Sequence, residues 1–148
     1  MPGHHSTFQV LIAPLTPDAI LPRKAHPTDA GFDLAIPEDC TLAPRMHDSI
    51  DLGFAVQIPA GWYGQIFARS SVFRRGLAIH PGVIDADFRG AVQLLIYNQL
   101  STAQSMHRGD RLAQLLILPV PDTTLVAVTA DQLTQTPRGS GGFGSTGR

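Results

Sequence analysis

The chain has 148 residues, the size of one domain able to bury one real core, and its 43% hydrophobic content excludes a disordered polymer. With 11 Lys and Arg against 12 Asp and Glu, the net charge is −1. That balance excludes the basic excess with which a general nucleic-acid binder neutralises phosphates, so any phosphate chemistry must be local. A single Cys40 excludes an internal disulfide and a multi-cysteine zinc site, and fits a reducing compartment. The apolar run Phe8 to Leu15 is broken by Gln9 and Pro14, too short for a membrane span, and no Lys or Arg precedes it as in a secretory signal. A soluble, cytoplasmic protein is expected.

The 14 glycines and 12 prolines punctuate short apolar runs instead of forming one linker. In chain order the pattern predicts strands at Phe8–Ile12, Phe32–Ala35, Asp48–Leu52, Phe54–Ile58, Tyr63–Ala68, Leu77–Ile79, Ala91–Asn98, Arg111–Pro119 and Leu125–Thr129. Turn signals separate them, among them Pro59-Ala60-Gly61, His80-Pro81-Gly82 and Arg108-Gly109-Asp110. Short strands at this spacing read as an all-β sandwich or barrel of jelly-roll-like architecture. One short helix is expected, capped by Ser70 or Ser71, running from Val72 to Arg75 and ended by Gly76. The compositional break at Thr136 divides the chain into a β domain, 1–135, and a mobile Gly/Ser-rich tail of the same domain, 136–148.

Five segments carry residues suited to chemistry. Asp33, in Ala30-Gly31-Phe32-Asp33-Leu34-Ala35, is a carboxylate between apolar neighbours, fit either to order magnesium-bound waters or to cap a buried turn. Arg69-Ser70-Ser71-Val72 opens the predicted helix, where free amides, two hydroxyls and a guanidinium fork suit an anion; a plain capped surface helix fits the same letters. Asp85 follows the apolar pair Val83-Ile84, which places a carboxylate at the edge of the core. It can act as general base on a water, or serve with Asp87 as a turn residue. Phe88, just beyond, offers a flat face to a sugar or base.

Gln114 precedes the apolar run Leu115 to Leu118, and its amide needs polar partners such as a phosphate oxygen or a water. Asp110 and Arg111 before it read as turn and ion-pair residues. The tail Arg138-Gly139-Ser140-Gly141-Gly142-Phe143-Gly144-Ser145-Thr146-Gly147 could be a linker, but a linker has no use for Arg138 and Phe143. Glycine amides, two hydroxyls, a guanidinium and a ring suit a polyphosphate with a base attached. The tail also half-matches a phosphate-binding Walker loop, but Ser145 stands where that loop needs Lys and no helix can follow.

These five segments, in this order from Ala30 to Gly147, resemble the five motifs of the trimeric dUTPase family. The resemblance implies hydrolysis of dUTP to dUMP and pyrophosphate by water attack on the α-phosphate, with Mg2+. That reaction limits uracil incorporation into DNA and supplies dUMP for dTMP synthesis. Asp85 then corresponds to the general base, and Gln114 to a glutamine that contacts phosphate or water. Arg69, Ser70 and Ser71 correspond to the phosphate-binding second motif, and Asp33 lies near the hydrated magnesium. The stretch from Leu77 to Val83 reads uracil through backbone groups, with Ile79, Gly82, Val83, Ile84 and Gln93 as contacts. Phe88 stacks on deoxyribose and leaves little room for a 2′-hydroxyl. Arg138, Gly144, Ser145 and Thr146 clasp the terminal phosphates while Phe143 closes over uracil. The family is a homotrimer with active sites shared between subunits.

Three departures stand out. Phe88 replaces the usual Tyr, Ser71 replaces the usual Gly, and the stretch from Arg69 to Asp85 is about a residue shorter than in many members. A related fold, that of dCTP deaminase, also carries an Arg-Ser-Ser motif. It depends on a Glu where this chain has Leu95, and Leu cannot shuttle a proton. A non-catalytic nucleotide sensor on the same scaffold would have no need of a water-activating carboxylate.

Overall fold

The computed structural model describes residues 8–142. Within them the strands are β1 (Leu11–Pro14), β2 (Phe32–Ala35), β3 (Cys40–Leu42), β4 (His47–Asp51), β5 (Phe54–Gln57), β6 (Trp62–Ala68), β7 (Leu77–Ile79), β8 (Val83–Ile84), β9 (Gln93–Asn98), β10 (Gln104–Met106) and β11 (Arg111–Pro119). One helical turn, α1 (Ser70–Arg74), joins β6 to β7, and a 3-10 turn covers Ala130–Gln132. The all-β expectation with one short helix stands. No helix of the described residues is long and apolar enough to cross a membrane.

The strands pair antiparallel in four small sheets, ordered β1-β5, β10-β3, β2-β11-β6-β8 and β4-β9-β7. Strict alternation explains β9: Leu94, Ile96 and Asn98 turn inward while Gln93, Leu95 and Tyr97 face out. β11 breaks alternation, burying both Leu112 and Ala113, because its register against β2 shifts between Arg111 and Ala113. Leu34, Ile36, Phe54, Ile66, Leu77, Leu94 and Leu112 meet in one core cluster drawn from all the larger sheets.

Asn98 is the buried polar residue of this core. Its amide donates to the carbonyls of Leu42 (3.1 Å), Ala43 (3.1 Å) and Thr102 (2.8 Å), and its carbonyl accepts the Leu100 N–H at 3.0 Å. A fully partnered amide here ties β9 to the end of β3 and to the loop that follows it.

The sequence pattern misplaces two strands and omits three, β8 among them because a two-residue strand shows no period. Leu125–Thr129 forms no strand: it pairs with no sheet edge among the described residues, and Leu125 stands 95% exposed. The first strand begins at Leu11, not Phe8, because Leu11–Pro14 is what β5 pairs with; Phe8 instead stacks on Trp62, with ring centroids 4.1 Å apart. β3 and β10, three residues each with Thr41 and Ser105 hydroxyls touching at 3.2 Å, are too short and polar to show a period.

Candidate active site

One group of predicted residues converges at the end of the four-stranded sheet. Gln114 on β11 lies opposite Asp33 on β2 and opposite Phe67 on β6, so a carboxylate, an amide and a ring form a row across three strands. Gly31 makes space for the amide: a Cβ there would lie 2.7 Å from Gln114 Oε1. Arg69 leaves β6 next to them, its N–H donating to the Leu112 carbonyl at 3.1 Å. The Asp33 carboxylate, only 15% exposed, takes Arg111 Nη1 at 3.0 Å on Oδ2 and Arg69 Nη1 at 3.6 Å on Oδ1.

The helix that follows is built differently from the sequence expectation. Arg69, not a serine, occupies its N-cap position, and no side-chain hydrogen bond caps it. Ser70 and Ser71 are therefore inside the first turn, both exposed. Buried Val72 anchors the turn. Gly76 ends it at φ +69, its N–H bonded to Phe73, where a Cβ would meet the Leu100 side chain at 2.5 Å.

A second group lines a cavity of about 380 Å³ between β6, β8 and β9, with Gly82, Val83, Ile84, Phe88 and Gln93 in its wall. The Gly82 carbonyl is held by the Ile66 N–H (2.8 Å) and the Gln65 amide (3.1 Å), which fixes the turn at the cavity mouth. The Ser49 hydroxyl donates to Gln93 Oε1 at 2.5 Å. Phe88 packs over Gly90, whose added Cβ would strike the ring at 2.7 Å. The turn from Asp85 to Phe88 closes through a Phe88 N–H to Asp85 carbonyl bond of 3.1 Å, and Arg89 stitches it to the Ala86 and Phe88 carbonyls.

One expectation about this group needs adjusting. Val83 is 61% exposed, so Asp85 follows a pair of which only Ile84 is buried; β8 has one face on the core and one in solvent. Ile79 has its side chain in the core cluster, which is compatible with the expected contact through its backbone.

The two groups do not meet within one chain. β8 pairs antiparallel with β6 through Gly64↔Ile84, so Asp85 emerges toward the Trp62 end of β6, whereas Arg69 follows its Ala68 end. At strand rise the stretch from Gly64 to Arg69 spans roughly 16 Å, longer than a triphosphate chain. Arg138, in the tail, donates from Nε to the Gly141 carbonyl at 2.8 Å, and Phe143, Gly144, Ser145 and Thr146 lie outside the described residues.

Sequence reasoning missed His80, which also lines the cavity, and the support given by Ser49 and Gln65. It also read Arg111 as a bare structural ion pair without naming Asp33 as its partner. All four depend on strand register across 17 to 78 residues of sequence, which local spacing does not encode. Burial, then the charge of Asp48, pushes the Cys40 thiol above its ordinary range.

The dUTPase family model matches residues 17–147 of the chain. The deoxyuridine 5'-triphosphate nucleotidohydrolase of Thermobifida fusca is 43% identical over 145 residues, spanning 95% of this chain and 80% of that one. Among solved structures, the Staphylococcus bacteriophage 80alpha dUTPase with dUpNHpp matches at TM-score 0.87 and 28% identity, covering 96% of this chain and 100% of that one. A variant dUTPase from phage phi11 of S. aureus, solved with a structural Mg(II) ion, matches at TM-score 0.76 and 28% identity over 82% of this chain and 97% of that one. A family match running from before Asp33 to beyond Thr146 takes in both groups of site residues and the tail, and on that ground the chain belongs to the dUTPase family.

Proposed function

We propose that this chain hydrolyses dUTP to dUMP and pyrophosphate at sites built between copies of itself. The observation that carries the reading is the division of the site. A phosphate-suited corner (Arg69, Ser70, Ser71, Gln114) and a base-suited cavity followed by Asp85 stand at opposite ends of β6. A second copy that brought its Asp85 end to the Arg69 corner would join the halves. A homotrimer, the assembly the family resemblance implies, supplies such a partner for every site.

In the joined site the cavity takes uracil and deoxyribose. Gln93 amide N–H groups and the backbone of the His80–Gly82 turn face the base, and Phe88 packs on the sugar. Arg69 and Gln114 donate to phosphate oxygens. Asp85 accepts a proton from a water whose oxygen attacks the α-phosphorus. The bond from that phosphorus to the bridging oxygen breaks, and pyrophosphate departs with the bond electrons. Residues 136–148 form a closing tail on the body of 1–135, Arg138 and the hydroxyls of Ser145 and Thr146 holding the outer phosphates and Phe143 covering uracil.

The described residues do not fit a resident metal. No group of three His, Cys, Asp or Glu that could hold one occurs among them, and both Asp33 oxygens already face guanidiniums. Magnesium would enter instead as the cation of the substrate triphosphate, where it would offset phosphate charge, and Asp33 would meet it only through water. The reducing fit of the lone Cys40 supports work in the cytoplasm.

Pyrophosphate release from dUTP, dTTP, dCTP and UTP, with and without magnesium, tests the reading. dUTP with magnesium is expected to be turned over far faster than the others. Asp85→Asn is expected to lose on the order of 10²- to 10⁴-fold in rate while still binding a non-hydrolysable dUTP analogue. Ammonia released from dCTP, or dUTP bound by the wild type without pyrophosphate release, would refute it.

A further inference from the structure

The carboxylate of Asp33 is shared unequally. Arg111 holds one oxygen at 3.0 Å, and Arg69 faces the other at 3.6 Å. A carboxylate this enclosed is stable only with a counter-charge, and one guanidinium in hydrogen-bond contact suffices. The second is then left loosely held. One negative charge against two positive ones leaves this corner with a net positive charge.

Arg111 reaches Asp33 through an irregularity of the fold. Gln114 pairs with Asp33 and Ala113 with Leu34, so an unbroken register would set Arg111 opposite Ile36, a core residue. The extra residue between Arg111 and Ala113 sets Arg111 opposite Ala35 instead, on the face shared with Asp33. The bulge thus re-aims a charged side chain from the core to the carboxylate.

We propose that Arg111 is a positioning residue: by neutralising Asp33 it keeps Arg69 free to donate to a phosphate. The proposal rests on the phosphate role given to Arg69 above. Without Arg111, the cations left beside Asp33 are Arg69 and Arg23, which lines a cavity with Asp33; Arg69, already 3.6 Å from Oδ1, is then drawn off the anion. A merely structural surface ion pair would contribute little and would not couple to anion binding.

The test is a double-mutant cycle on the full chain, titrating metal-free inorganic tripolyphosphate by calorimetry, with melting temperatures alongside. Arg111→Gln is expected to weaken binding by about tenfold or more, the scale of one charge-assisted hydrogen bond. Its melting temperature should stay close to that of the wild type. Adding Asp33→Asn to Arg111→Gln is expected to return affinity to within about twofold of the wild type, because Arg69 is released. A loss that the double variant fails to recover means that Arg111 touches the anion itself, and overturns the proposal. So does an Arg111→Gln variant that binds normally, or a wild type that does not bind. Turnover of dUTP by the wild type reports separately on the proposed function.

Discussion

Gly31 and Gln114 occupy one space: a Cβ on the glycine would sit 2.7 Å from the Oε1 of the amide and 3.1 Å from its Cβ. The glycine is at ordinary φ, so its smallness and not its backbone freedom is what the site uses. Gly31→Ala is expected to push the Gln114 amide aside, since the far end of a flexible side chain yields before backbone does. An ångström of misplacement can cost on the order of a hundredfold in kcat/KM, whereas overpacking at this buried glycine should cost about 1–3 kcal/mol of stability. Steady-state kinetics beside denaturant unfolding would separate the two. Normal kcat/KM in this variant would mean that Gln114 takes no part.

Asn98 makes a purely structural prediction. Asn98→Leu strips partners from the carbonyls of Leu42, Ala43 and Thr102 and from the Leu100 N–H, all at the buried end of β9. Leaving such groups without partners is expected to destabilise the fold by about 3 kcal/mol or more. Chemical denaturation measures this directly, and a variant as stable as the wild type would contradict the account of the core.

The tail should be separable from the fold. From Thr136 to Gly141 its hydrogen bonds are local: Gly139 N–H to the Thr136 carbonyl, Gly141 N–H to the Arg138 carbonyl, and Arg138 to the Gly141 carbonyl. Removing Arg138 to Arg148 is expected to leave the melting temperature in place and nearly abolish dUTP turnover, because the proposed closure is lost. Truncated protein with full activity would exclude a closing tail.

How much of this was legible beforehand follows from the range over which each feature is set. Phe32–Ala35, Leu77–Ile79 and Arg111–Pro119 form strands at the positions their local pattern predicts, and α1 ends at Gly76 as the glycine requires. Asp33, Arg69 and Gln114, drawn from separate segments, are brought together by β2-β11-β6 pairing. The bulge that turns Arg111 toward Asp33 was invisible, because one extra residue in a strand leaves no mark in composition. The failed strand at Leu125–Thr129 has the opposite cause: its β-prone residues lack an edge to pair with among the described residues.

The separation of Asp85 from Arg69 along β6 makes the sharpest demand on the proposed reaction, since neither half-site can work alone. The measurement is pyrophosphate release from dUTP by Asp85→Asn and Arg69→Gln proteins, each alone and then unfolded together and refolded as an equal mixture. Each variant alone should be nearly inactive. With sites shared between neighbouring copies, random mixing should restore about a quarter of wild-type activity, from sites with Asp85 of one copy and Arg69 of another. A refolded mixture no more active than its two components would contradict a site built between chains.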